Sequence, residues 1–152
     1  MEVVYVDTSV FGGMFDKEFS EFSIQLLNIF KRGRLKMMIS DLVIEELKEA
    51  RKEVMMQPEQ VPYKFMISTR HSPKAKMLAE MYIAAGALTI KSKGDALHVA
   101  TATLQGADVL ASWNFRHMVN TGKIELFNKI NKEMGYRSIQ IKTPRDILNP
   151  SL

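Results

Sequence analysis

The sequence predicts an α/β fold in which helices cover both faces of a mostly parallel sheet, as a three-layer α/β/α sandwich. Short uninterrupted apolar runs, such as residues 3–6, are typical of strands that are buried on both faces. Segments with apolar residues at helical spacing alternate with these runs. The chain has 152 residues and no low-complexity tract. We therefore expect a single domain over residues 1–152.

The first half of the chain contains two predicted strands and two predicted helices. In order, these are a strand at 3–6, a helix from Phe19 to Phe30 that stops at Gly33, a strand at 37–39, and a helix capped by Ser40 whose apolar stripe runs from Val43 to Val54. Gly12-Gly13 predicts a turn before the first helix. Pro58 and Pro62 then break the chain, and no element is assigned directly after them.

The second half follows the same alternation. The predicted elements are a helix at 74–85 closed by Gly86, a helix from Ser92 to Leu104, a strand at 109–111, a helix after Thr121 that ends at Gly135, a strand at 139–141, and a short final helix. The final helix is expected to begin at Thr143, because Pro144 and Asp146 have the positions of a first-turn proline and a capping-box acid.

Composition excludes several classes of site and protein. The chain has no cysteine, which excludes disulfides and thiol chemistry, and its three histidines lack the spacing of a zinc site. The net charge of +4 is compatible with a polyanionic partner. We find no apolar run long enough to span a bilayer and no signal-peptide pattern, so a cytoplasmic protein without membrane contact is expected.

Polar residues occur at predicted strand ends and helix starts: Asp7, Glu46, Asp95, Ser112 and Asn114. In a parallel sheet, the carboxyl ends of the strands open into a binding crevice. Two alternatives stay open, because Asp7 also fits an Asx turn and Asp95 also fits a capping box with Ser92.

The two adjacent glutamates are separated by helix geometry. At about 100° per residue, Glu46 lies roughly 60° from Val43, at the margin of the buried stripe, whereas Glu45 points away from it. Glu46 is therefore the candidate. Carboxylates that converge in one crevice repel each other unless a cation joins them, and Mg²⁺ or Mn²⁺ is the cation that oxygen ligands favour.

Four segments, VVYVDTSV, ISDLVIEEL, GDALHVATA and ADVLASWNFRHM, resemble in this order the PIN domain family of metal-dependent ribonucleases, which includes the VapC-type toxins. The resemblance spans residue 3 to about residue 148. It implies a Rossmann-like sandwich, a Mg²⁺ or Mn²⁺ ion, and hydrolysis of RNA phosphodiester bonds by a metal-activated water. It also implies that Asp7, Glu46 and Asp95 are the metal ligands, and that Thr8 or Ser9 helps to hold the site.

The sequence departs from the family pattern at the fourth acidic position, where Asn114 replaces an aspartate and His117 stands where a further acid can occur. Ser112 and Asn114 are therefore expected to assist three anionic ligands. The departure motivates an alternative, a degenerate module that binds RNA or protein without cutting. A phosphoacceptor domain is disfavoured, because Ser9 stands where the phosphatase pattern needs a second acid.

Partners are predicted only by class. The resemblance implies an RNA substrate and an antitoxin protein. The eleven methionines suit an apolar surface for a homodimer or for an antitoxin helix. Trp113 and Arg116 are candidates for RNA contacts, with packing an equally good alternative for Trp113, whereas His98 is interpreted mainly as a packed helix residue.

Overall fold

A five-stranded parallel sheet forms the centre of the computed structural model, which describes residues 1–150. Its strands are β1 (Val3–Val6), β2 (Lys36–Ser40), β3 (Met66–Thr69), β4 (Val109–Ala111) and β5 (Gln140–Lys142). The order across the sheet is β3-β2-β1-β4-β5, and every neighbouring pair is parallel. The predicted α/β fold with a parallel sheet is confirmed. Residues 151 and 152 of the predicted domain lie outside the described range.

Eight α-helices connect and cover the strands of the described chain. They are α1 (Thr8–Gly13), α2 (Ser20–Lys31), α3 (Asp41–Leu47), α4 (Lys52–Met55), α5 (Pro73–Ala84), α6 (Lys93–Leu104), α7 (Thr121–Glu133) and α8 (Pro144–Leu148). Val4, Tyr5 and Val6 of β1 are fully buried although successive side chains point to opposite faces. Both faces of the sheet are therefore covered, which explains the uninterrupted apolar run. Within residues 1–150, no helix is both long and apolar enough to cross a membrane.

The connection after β1 differs from the prediction. Gly12 and Gly13 lie in the short helix α1 rather than in a turn. A Cβ atom on Gly13 would lie 2.8 Å from both Ser23 Oγ and Trp113 Nε1. The glycine is needed there for close packing against the indole, and its turn-forming capacity is not used.

Two further differences lie between β2 and α5. The helix predicted to run to Val54 is two helices, because α3 ends at Leu47 and α4 begins at Lys52. Val43, Leu47 and Val54 are nevertheless all buried, so one apolar stripe serves two short helices. Strand β3 was not predicted, because it is an edge strand of only partly buried or exposed residues and has no apolar run.

Candidate metal centre

The carboxyl edge of the sheet brings together residues that are far apart in sequence. Asp7 follows β1, Ser112 follows β4, and α3 and α6 carry Glu46 and His98 to the same edge. The backbone N–H of Asp7 donates to the Ala111 carbonyl at 3.0 Å, which continues the pairing of β1 with β4 to the end of the strand. The position of Asp7 is therefore fixed by the centre of the sheet.

Asp7 is a buried carboxylate that accepts two hydrogen bonds. It is 6% exposed, and its Oδ2 atom accepts hydrogen bonds from Ser9 Oγ and Ser112 Oγ, each at 2.8 Å. Its Oδ1 atom lies 3.9 Å from His98 Nε2. Two hydroxyl groups thus orient one oxygen, and the other oxygen faces the centre.

Glu46 faces Asp7 from α3. Its Oε1 atom accepts hydrogen bonds from Thr8 Oγ1 at 2.5 Å and from His98 Nε2 at 2.8 Å. Burial alone would raise the pKa of Glu46, but the bond and charge of His98 and the bond from Thr8 outweigh it, so the pKa is lowered. Glu45 instead pairs with Lys48 on the surface at 2.8 Å.

His98 is the residue of this centre whose sequence context favours a packed helix residue over a functional one. It is 1% exposed, and its Nδ1 atom is 2.7 Å from the hydroxyl of Tyr5, which in turn lies 2.6 Å from Ser40 Oγ. Burial would lower the pKa of His98, but the hydrogen bond to Glu46 and the nearby carboxylates raise it. The only sequence signal for this role is its place one turn after Asp95 on α6.

Asp7, Glu46 and His98 each offer one ligand atom, and these atoms all lie within 4.8 Å of one another. The two carboxylates are donors that suit Mg²⁺ or Mn²⁺, and His98 Nε2 lies in the same group while it bonds Glu46. Within residues 1–150, this is the group of acidic and histidine side chains with the spacing of a metal site. The residues therefore fit a divalent cation.

Asp95 and Asn114 lie beside this group rather than in it. Asp95 Oδ2 is 2.8 Å from His117 Nδ1, and Ser92 makes no capping bond to Asp95 or to another residue of α6. The side-chain oxygen of Asn114 accepts the backbone N–H of His117 at 2.9 Å. The asparagine thus shapes the loop that carries His117, and Ser112 Oγ accepts the N–H of Asn114 at 2.9 Å.

Asp108 occupies the other end of the strands. Its Oδ2 atom accepts the backbone N–H of Val3 at 2.8 Å, and Arg137 lies 3.2 Å from its Oδ1 atom. Because it precedes β4, Asp108 belongs to the strand entry and not to the crevice.

Comparison with known proteins detects similarity in structure. No protein-family model matches the sequence, and no curated protein matches it significantly. VapBC2 from Rickettsia felis, solved bound to a DNA fragment from its promoter, is 13% identical with a TM-score of 0.56, over 93% of this chain and 98% of that one. VapC20 from Mycobacterium tuberculosis, a Sarcin-Ricin loop cleaving toxin, is 12% identical with a TM-score of 0.56, over 90% and 98%.

A third solved structure agrees with these two. FitAcB from Neisseria gonorrhoeae is 13% identical with a TM-score of 0.57, over 93% of this chain and 97% of that one. The similarity covers nearly the whole chain at low identity, so it concerns the fold. The chain therefore has the fold of the VapC-type PIN domains, which the resemblance of its four sequence segments predicts.

Proposed function

We propose that this chain is a metal-dependent endoribonuclease that hydrolyses RNA phosphodiester bonds. The observation that carries the proposal is the pairing of Asp7 with Glu46 and His98 at the carboxyl edge of a PIN-type sheet, with ligand atoms within 4.8 Å. A bound Mg²⁺ or Mn²⁺ ion would supply Lewis acidity, both to a water nucleophile and to the phosphate oxygens.

The proposed roles of the protein residues follow from their contacts. Asp7 and Glu46 hold the cation, and Asp95 is kept as the predicted third acid, held by His117 next to the centre. Ser9 and Ser112 orient Asp7 through its Oδ2 atom. Ser112 thus holds the metal ligand Asp7, and Asn114 holds the loop that carries His117.

His98 positions Glu46 in this proposal. The hydrogen bond to Glu46 and the nearby carboxylates raise the pKa of His98, and its Nδ1 atom is occupied by Tyr5. Burial raises the pKa of Tyr5, so that hydroxyl stays neutral. The Nε2 atom of His98 is engaged by Glu46 and its Nδ1 atom by Tyr5, so the imidazole holds a ligand in place rather than acting on the attacking water.

The test is cleavage of an end-labelled mixed RNA pool by the purified protein, with Mg²⁺ or Mn²⁺ and with EDTA. The Asp7→Asn variant should lose cleavage and keep the circular dichroism spectrum of the wild type. Asp108→Asn is the matched control, because it removes an aspartate at the opposite end of the strands. Full activity of Asp7→Asn, or unchanged cleavage in EDTA, would refute the proposal.

We further propose that the protein is the toxin of a toxin-antitoxin pair. The support is the structural likeness to VapC20, a Sarcin-Ricin loop cleaving toxin, together with the four motif segments. An apolar groove between α5 and the end of α7, with Met77, Met81 and Met134 in its lining, would suit the antitoxin helix or second copy that the methionine content leads us to expect. The cytoplasmic location and the homodimer stay predictions.

A second candidate function is supported by Asn114, which offers no charge at the fourth position. It is a module that binds RNA or a protein without cleavage. Metal-independent RNA binding by the folded wild type, with no products in Mg²⁺ or Mn²⁺, would favour this candidate over the ribonuclease.

A further inference from the structure

Three aromatic side chains cluster next to the candidate metal centre. Phe19 precedes α2, and Trp113 and Phe115 follow β4. The rings of Phe19 and Trp113 stack with 4.3 Å between centroids, and Phe115 lies 6.3 Å from each of them. Trp113 is buried, whereas Phe115 is 51% exposed. The cluster is thus a supported aromatic surface that ends in an exposed ring.

This aromatic cluster lines a cavity of about 510 Å³ between the start of α2, the loop after β4, and α8. That volume is in the range of small-ligand sites. The cavity wall also contains Arg145, Glu18 and Asp146, which are exposed at its rim. The cavity therefore combines an aromatic wall with both donors and acceptors of hydrogen bonds.

The cavity is connected to the metal centre through the protein. Phe19 and Trp113 also line a second cleft, which reaches Ser9 and Asn114. The backbone N–H of Trp113 donates to Ser9 Oγ at 3.0 Å, and Ser9 Oγ donates to Asp7 Oδ2 at 2.8 Å. A ligand in the cavity would therefore share the wall of Phe19 and Trp113 with the cleft that reaches Ser9, the neighbour of Asp7.

The charges of the rim suit a nucleotide. The guanidinium of Arg145 lies 5.9 Å from the ring of Phe22 and makes no salt bridge with the described residues, so it is available to a phosphate or to a base face. Glu18 and Asp146 are acceptors that suit the amino groups of adenine and cytosine, which uracil lacks.

We propose that the Phe19, Trp113 and Phe115 cluster is a nucleobase subsite that receives one unpaired base of the RNA next to the scissile phosphate. This inference rests on the proposed function and adds to it a base preference, an amino-bearing base at this position of the RNA. Only an unpaired base can insert between protein side chains and stack on an exposed aromatic ring.

The test is the binding of RNA hexamers in EDTA, which separates binding from metal-dependent cleavage. Trp113 is the only tryptophan of the chain and reports on the cavity by its fluorescence. Hexamers of adenylate, cytidylate and uridylate are compared with an abasic phosphodiester strand of equal length, and labelled RNA gives an independent affinity by anisotropy. The variants are Phe115→Leu and Phe115→Tyr. Phe15→Leu is the matched control, because Phe15 is 44% exposed and lines neither cavity.

We expect the adenylate and cytidylate hexamers to quench Trp113 and to bind more tightly than uridylate and the abasic strand. Phe115→Leu should weaken their binding at least about fivefold, whereas Phe115→Tyr and Phe15→Leu stay within about twofold of the wild type. Equal affinities of Phe115→Leu and Phe15→Leu, or of the abasic strand and adenylate, would overturn the inference. The assay measures RNA binding and not cleavage. It therefore tests the nucleobase subsite even if the protein proves not to be a ribonuclease.

Discussion

Replacement of His98 by phenylalanine tests whether this imidazole holds the centre together. The His98→Phe variant keeps a ring in the buried space but loses the hydrogen bonds to Glu46 at 2.8 Å and Tyr5 at 2.7 Å. A hydrogen bond to a charged group contributes about 1.5–3 kcal/mol, and a neutral one about 0.5–1.5 kcal/mol. The loss of both bonds is the sum of these two ranges. Because the side chain of Glu46 is 45% exposed, we take the lower half of the summed range, about 2–3 kcal/mol.

This loss corresponds to a fall in Tm of about 5–10 °C for a domain of this size. The assay is thermal unfolding followed by circular dichroism in EDTA, at about pH 6. The control is His71→Phe, because His71 also pairs with a carboxylate, Asp41, but is 27% exposed and should lose less. A His98→Phe variant that melts within about 2 °C of the wild type would refute the role assigned to His98.

The difference in Tm between the wild type and His98→Phe should also depend on pH. The pKa of His98 in the folded protein is raised above 6.5. Its contribution to the free energy of unfolding is therefore complete below the unfolded pKa and is lost as the pH rises through the folded pKa. The pKa of Glu46 in the folded protein is lowered. Its contribution to the free energy of unfolding is therefore complete above about pH 4.5 and is lost as the pH falls through the folded pKa. The Tm gap between wild type and His98→Phe should therefore be widest near pH 6 and narrower near pH 9. A gap that widens at alkaline pH would contradict this sign.

Three further predictions concern the centre and its support. Mn²⁺ at about 100 times its Kd should stabilise the wild type by about 2.7 kcal/mol in thermal melts, and Asp7→Asn should lose this shift; an equal shift would place the ion elsewhere. Ser112→Ala should lower metal affinity or kcat about 10–100-fold, since it removes one of the two hydroxyl groups that orient Asp7 Oδ2, and wild-type values would refute that role. Gly13→Ala should lower Tm, because its Cβ would lie 2.8 Å from Ser23 Oγ and Trp113 Nε1; an unchanged Tm would show that both side chains move aside.

Much of the fold could be predicted because local patterns agree with the tertiary structure. The apolar run at residues 3–6 predicts the central strand, and the Thr143 cap is present as predicted, with its Oγ1 atom accepting the Asp146 N–H at 3.1 Å. Strand β3 could not be predicted, since an edge strand needs no continuous apolar run. Its pairing with β2 is a long-range property.

The candidate site was predictable in part for a similar reason. Strand ends and helix angles locate Asp7 and Glu46, because each depends on one element. The pairing of Asp95 with His117 and of His98 with Glu46 depends on contacts between elements, which periodicity does not contain. Asn114 matched a family position, but its bond to the His117 backbone could be read only from the structure.

The pairing of β1 with β4 joins Val4 to Val109, more than a hundred residues later. While the chain is being synthesised, Asp7 leaves the ribosome early but has neither Ser112 nor His98 beside it. Sheets built from such distant partners form only after most of the chain is available. If the protein cleaves RNA as proposed, the nascent chain cannot assemble its candidate centre until Ser112, in the last third of the sequence, has emerged.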